Sequence, residues 1–195
     1  MTTPRSTSRD LALIAVFAGI IAVLGLIPAM YPFGQAVPIT AQSLGVMLCG
    51  AILGPKRGAG AVLLFLALVA IGLPLLAGGR GGLGVFASPT IGYLIGFPVA
   101  AWVIGAGVFA AGAPYRIVVG LVAALVGGVV VLNAIGILGM MWRADLSFGT
   151  ALKAAAVFMP GDVVKAVLTA LIARGVHAAY PGLLPRRRRE PVAAA

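Results

Sequence analysis

Residues 116–141 read RIVVGLVAALVGGVVVLNAIGILGMM, and after Arg116 no charged side chain appears until Arg143. About 20 apolar residues carry a helix across the hydrocarbon of a bilayer, so this stretch points to an α-helical membrane protein. Runs that reach or approach the same length fall at about 11–29, 39–54, 59–77, 90–111 and 158–178. Together they predict an all-α polytopic fold with six transmembrane helices. The composition agrees: 62% hydrophobic and 9% charged residues, with a mean hydropathy of +1.14, are more apolar than a soluble fold can hide. Residues 11–28, preceded by Arg5 and Arg9, also have the make-up of a signal peptide, but the later spans of the same kind favour a first helix. The second run is short and interrupted by glycine, which suggests a tilted or partly re-entrant helix lined by protein rather than lipid.

The net charge of +10 does not indicate nucleic acid, because the basic residues sit in short clusters between apolar runs and line no single face. They report orientation instead. With six alternating helices, Arg5, Arg9, Lys56, Arg57, Arg116, Arg174 and Arg186 to Arg189 fall on one side, and Arg80, Arg143 and Lys153 on the other. Positively charged loops stay cytoplasmic, so both termini are expected inside, at the cytoplasmic membrane of a cell. The expected organisation is a single six-helix domain over 1–180 and a basic, disordered cytoplasmic tail over 181–195, in which Arg186 to Arg189 touch anionic lipid.

Several function classes drop out. There is no G-x-x-x-x-G-K-[ST] stretch, so the chain is not itself a P-loop ATPase. Cys49 is the only cysteine and His177 the only histidine, which leaves no metal cluster and few catalytic options, and no enzyme, cofactor or metal is expected. His177 reads as interfacial. The 28 glycines exceed what turns need. Pairs four apart, such as Gly50 and Gly54, Gly54 and Gly58, and Gly92 and Gly96, let helix backbones approach closely in lipid. Ala18 and Ala22, with Ala15 and Gly19, form a similar small-residue stripe on the first helix, suited to internal packing or to a partner.

The most informative stretch is Phe158-Met-Pro-Gly-Asp-Val-Val-Lys165. Asp162 and Lys165 lie three residues apart, on one helical face and within mutual reach, and Pro160 suits a first helical turn. An ionised side chain in hydrocarbon costs about 3 kcal/mol, so it faces a cavity or a partner. A polar pocket opening outward is expected there, with Lys165 attracting an anion and Asp162 accepting hydrogen bonds. Gly79, Gly81 and Gly84 match G-x-G-x-x-G, but without a βαβ context the match is weak. The loop is better read as close-packed, with Gly79 amides and Arg80 approaching a ligand, and Tyr93 follows it. Thr40 and Gln42, entering the second run, add uncharged donors and acceptors, although capping explains Thr40 as well. Asn133, alone in its span, suits an interhelical hydrogen bond.

Three segments carry a family resemblance: Pro38-Ile-Thr-Ala-Gln-Ser-Leu-Gly-Val-Met47 with Gly54-Pro-Lys-Arg-Gly58, the stretch from Gly72-Leu-Pro through Gly-Gly-Arg-Gly-Gly to Pro-Thr-Ile-Gly-Tyr-Leu-Ile-Gly-Phe97, and Phe158 to Lys165. In these the chain resembles the BioY family, the biotin-binding substrate (S) components of energy-coupling factor (ECF) transporters, over most of residues 9–180. The resemblance implies six helices with both termini cytoplasmic and a biotin pocket near the outer face, covered by the loops between helices 1 and 2 and between 3 and 4. Asp162 and Lys165 match the family's acid and lysine of the last helix, and Tyr93 and Arg80 its aromatic and loop positions, Arg80 with less weight because many relatives carry another residue there. Ala18 to Ala22 resembles the A-x-x-x-A element that docks on the energy-coupling transmembrane protein, which would join this chain to two cytoplasmic ATPases. The other functions in view are an S component for another vitamin, such as riboflavin or thiamin, a solitary proton-coupled carrier, and a non-transporting scaffold.

Overall fold

The structure, a computed structural model, describes residues 7–27 and 40–185. Val37 to Ile39, the loop between the first two helices, Arg5 and Arg186 to Arg189 lie outside the described residues. A helix occupies each of the six apolar runs: α1 (Thr7–Gly25), α2 (Gln42–Leu53), α3 (Pro55–Ala70), α4 (Ile91–Ala111), α5 (Ile117–Leu125) running on through a π-helical segment (Val126–Val131) into α6 (Leu132–Ala144), and, beyond a short α7 (Phe148–Ala156), α8 (Met159–Ala179). Three of these, α1, α4 and the 28-residue helix Ile117–Ala144, are long and apolar enough to cross a membrane. The pair α7 and α8, bent by 50°, makes a fourth if it is one broken span. Six full spans are therefore not what the lengths give, since α2 has 12 residues and α3 has 16.

The short α2 is the centre of the molecule. Eleven of its residues are buried, and it packs against α1, α3, α4 and α8, so its surroundings are protein, as its length and glycines suggest. Gly54, at φ +84°, ends it, and Pro55 starts α3. Only glycine takes that φ without strain, and a Cβ there would strike the Phe109 ring. Beyond Ala70 the third apolar run leaves the helix, because Gly72 adopts φ +111° and Pro74 has no N–H to continue it. The spaced glycines act within the protein. A Cβ on Gly50 would meet the Ala101 carbonyl, one on Gly58 the Cys49 carbonyl, and one on Gly92 the backbone of α6 at Ile135 and Gly139.

Ser147 caps α7 by accepting from the Thr150 amide at 3.3 Å; nine residues cannot span, which is why a search for spans passes over it. His177, read from the sequence as interfacial, is packed inside the protein. It is buried, its Nε2 lies 2.9 Å from the Ala51 carbonyl, and its ring stacks on Tyr115. Burial pushes the Tyr115 phenol up to about 12, so it stays a donor to the Ala170 carbonyl. The last described residues, expected in a loose tail, fold back: Leu183 and Leu184 are buried in the core, and the Ala113 amide donates to the Pro185 carbonyl at 3.0 Å. At this same end of the bundle Arg57 pairs with Asp10 at 3.2 Å. At the opposite end Arg143 donates twice to the Ala87 carbonyl, and the N-termini of α2, α4 and α8 converge on a pocket.

Candidate functional site

The pocket lies where those three N-termini meet the loop from Leu73 to Thr90. Leu76, Leu94, Phe97, Leu132 and Phe158 give it apolar walls; Thr40, Gln42, Ser43, Arg80, Thr90, Tyr93, Asp162 and Lys165 supply the polar lining. The space measures about 590 Å³, counting the part open to solvent. Tyr93 and Phe158 meet edge to face, with ring centroids 5.9 Å apart. Apolar walls with a few converging polar groups are the usual make-up of a small-molecule site.

Its floor is a hydrogen-bonded network drawn from four helices. Asp162 sits in the first turn of α8, where the helix dipole favours a negative charge. Lys165 Nζ lies 3.0 Å from Asp162 Oδ1 and donates to Ser43 Oγ at 2.9 Å, and Ser43 Oγ in turn donates to Asp162 Oδ1 at 3.4 Å. The other carboxylate oxygen, Oδ2, accepts from Asn133 Nδ2 at 3.3 Å, and Asn133 Oδ1 accepts from the Tyr93 hydroxyl at 3.3 Å. Asp162 is only 4% exposed, and a buried charge is tolerated when it is paired and its lone pairs are taken up. With Arg80 added, the charged residues lining the pocket sum to one positive charge, which suits a ligand carrying one carboxylate.

Of the residues singled out in the sequence, Asp162, Lys165, Tyr93, Arg80, Thr40 and Gln42 come together in this pocket. Gly79 does not line it. It is exposed, at φ +70°, in the tight turn closed by the backbone pairing of Leu76 and Arg80. Thr40 does not cap α2, whose N-cap is Ala41. Gln42 lines the pocket, but its amide is engaged with backbone: Nε2 donates to the Leu75 carbonyl at 3.0 Å, and Oε1 accepts from the Ala77 amide at 3.0 Å. It thereby clasps the loop that carries Arg80, which itself bonds the Ala77 carbonyl. Gln42→Leu strands the buried Ala77 amide, at about 1–3 kcal/mol, and frees the partly buried Leu75 carbonyl, and is expected to lower the unfolding midpoint of the solubilised protein by several degrees. An unchanged midpoint would contradict the clasp.

Ser43 is the floor residue that sequence reading missed. A lone serine in an apolar helix gives no signal until Lys165, 122 positions away, is placed beside it. The stripe on α1 divides. Ala18 is 2% exposed and belongs to the core, and Ala22 is half-buried, whereas Ala15 and Gly19 face outward, with nothing within 4 Å of a Cβ placed on Gly19. Among the described residues no group of His, Cys, Asp or Glu is placed to hold a metal ion.

Comparison with known proteins gives a consistent result. The profile of the BioY family matches residues 1–182. The biotin transporter BioY of Rhizobium etli is 50% identical over 193 residues, covering 93% of this chain and 99% of that protein. The biotin transporter BioY of Rhodobacter capsulatus is 49% identical over 190 residues, covering 92% and 98%. Among solved structures, the S-component for biotin from an ECF-type ABC transporter superposes with a TM-score of 0.83 at 33% identity, over 91% of this chain and 95% of that one.

Proposed function

Since this chain belongs to the BioY family, we propose that its pocket captures biotin for uptake, with the Asp162–Lys165 floor as the group that recognises it. The protein is an S component of the ECF type, a membrane-integral transporter subunit and not an enzyme. Biotin is its cargo, and no cofactor is implied. The observation that supports the site is the paired, four-helix polar floor beneath apolar walls. Biotin's valerate is a carboxylate that Lys165 or Arg80 can pair with. Its ureido ring needs both donors and acceptors, which Asp162, Tyr93 and Thr40 can offer, and the rest of the bicycle is apolar. Loop 73–90 covers the pocket with Arg80, and the turn at Gly79 sets that loop's course. An S component for riboflavin or thiamin fits less well, because a single positive charge complements a monocarboxylate. The test is competition: labelled biotin held by the purified protein should be displaced by unlabelled biotin and not by riboflavin or thiamin, and displacement by either of those would overturn the assignment.

The Arg-rich end, bearing Arg57, Arg116 and both termini, faces the cytoplasm of the cell membrane, and the pocket opens outward, as the segregation of basic residues supports. The membrane domain proposed for residues 1–180 takes in the folded-back Leu183 and Leu184 as well, with the basic tail beyond. The chain works with an energy-coupling transmembrane protein and two cytoplasmic ATPases, since it has no phosphate-binding loop of its own. Docking uses the exposed side of α1 at Ala15 and Gly19, with Ala22 at its edge and Ala18 supporting it from within. Small residues there permit close helix approach in lipid. Gly19→Trp, whose Cβ has no neighbour within 4 Å in this chain and whose site on α1 is exposed, is expected to leave biotin binding intact while reducing ATP-dependent uptake in the reconstituted complex about tenfold or more, as one bulky side chain in a close helix contact separates the backbones. Wild-type uptake by that variant would move the docking face elsewhere.

A further inference from the structure

Asn133 lies at the start of α6, two residues beyond the π-helical segment Val126–Val131. A π turn inserts one residue into the helix and so rotates everything after it by about 100° relative to an α-helix. The segment has an evident packing basis, because side chains on Gly127 and Gly128 would strike Ile104 and Met47. Its consequence is that Asn133, 2% exposed, looks at α8 and α4. Its amide orientation follows from chemistry: Nδ2 faces the Val129 carbonyl at 2.8 Å and Asp162 Oδ2 at 3.3 Å, both of which only accept. The carbonyl oxygen therefore faces Tyr93, whose hydroxyl must donate to it. Each hydrogen of the amide has its own acceptor, and the group has no freedom to flip.

We infer that Asn133 is a positioning residue for ligand recognition: it fixes the orientation of the Asp162 carboxylate and turns the Tyr93 proton away from the pocket. This rests on the reading of the pocket as the biotin site. Asp162 Oδ1 is tied to Lys165 and Ser43. Only Asn133, among the groups described, holds Oδ2, so without it the carboxylate is free to rotate about its Cβ–Cγ bond. With the Tyr93 proton committed, its oxygen offers the pocket lone pairs alone. The floor then presents acceptors at Tyr93 and Asp162 for N–H groups of a ligand, and a donor only at Lys165. That polarity, and not merely the presence of polar groups, is what selects the ligand.

The chain has only three aspartates, Asp10, Asp145 and Asp162, so carboxyl-labelled [13C]aspartate gives a spectrum in which Asp162 is identified by its loss in Asp162→Asn. In ligand-free Asn133→Leu, and in the smaller Asn133→Ser should the leucine variant not fold, the Asp162 resonance is expected to move while those of Asp10 and Asp145 stay. The biotin dissociation constant should rise about tenfold or more, the worth of a hydrogen bond to a charged group. A folded variant with the Asp162 resonance in place, or with wild-type affinity, overturns the inference, since a residue that only packs would lower stability without touching either. If the wild-type protein bound no biotin, the proposed ligand would fall, and the ligand-free resonance would still decide the role of Asn133.

Discussion

Asp162→Asn is expected to weaken biotin binding by at least about a hundredfold, the largest effect of any single substitution in the pocket. The carboxylate takes three donors, Lys165, Ser43 and Asn133, from α8, α2 and α6. An amide there has one acceptor oxygen in place of two and turns an NH2 toward donors. Hydrogen bonds to charged groups contribute about 1.5–3 kcal/mol each, and a factor of one hundred corresponds to about 2.8 kcal/mol. Breaking a buried ion pair also leaves its partner charge uncompensated, at about 3–5 kcal/mol, so Lys165→Ala should lose binding and stability together. Asp162→Asn combined with Lys165→Met removes both charges and separates the two effects. Calorimetry should find its thermal midpoint closer to wild type than that of either single variant, while biotin binding stays lost. Recovery of binding in the uncharged pair would mean that the two residues serve only each other.

Gly139→Val is expected to abolish the folded protein. At Gly139 the backbones of α6 and α4 touch: a Cβ would land on Cα and N of Gly92, and the reciprocal Cβ on Gly92 would land on Gly139 and the Ile135 carbonyl. Backbone atoms have no rotamer to move into, so the helices must separate. Overpacking costs about 1–3 kcal/mol where side chains can adjust and more where they cannot. The separation also pulls Tyr93 of α4 away from Asn133 of α6. The check is the yield of monodisperse protein by size-exclusion chromatography in detergent. A normal yield with wild-type biotin affinity would show that the crossing of α4 and α6 has slack the packing does not suggest.

The fold was legible where physics is local. Hydrocarbon thickness sets the length of an apolar run, so the helices of runs 90–111, 116–141 and 158–178 fall within three residues of where those runs begin and end. The segregation of Arg and Lys supports the proposed orientation from the sequence alone. Features that depend on what lies alongside were not legible. The third run is apolar to residue 77 yet stops being helical at Ala70, because Gly72 and Pro74 outweigh hydropathy. His177 gave no sign of its packing partner, since the Ala51 carbonyl that α2 presents to it lies 126 positions away. At the site, Asp162 and Lys165 were visible because charge in an apolar run is conspicuous and their spacing is short. Asn133 was visible as a polar residue, and its engagement with Asp162 was not, since the two are 29 positions apart. Gln42 looked like a free polar group; its amide is committed to Leu75 and Ala77, which no sequence pattern announces. On α1 the four small residues looked like one stripe, and only the packing of α1 on α2 and α3 separates Ala18, inside, from Ala15 and Gly19, outside.

The most direct measurement is a structure of the wild-type protein with biotin bound. Biotin is expected between α2, α4, α6 and α8, with polar atoms within hydrogen-bonding distance of Asp162 or Lys165 and its bicycle against Phe97, Leu132 or Phe158. Biotin seated elsewhere on the chain, or a pocket left without biotin at saturating concentration, would contradict the account.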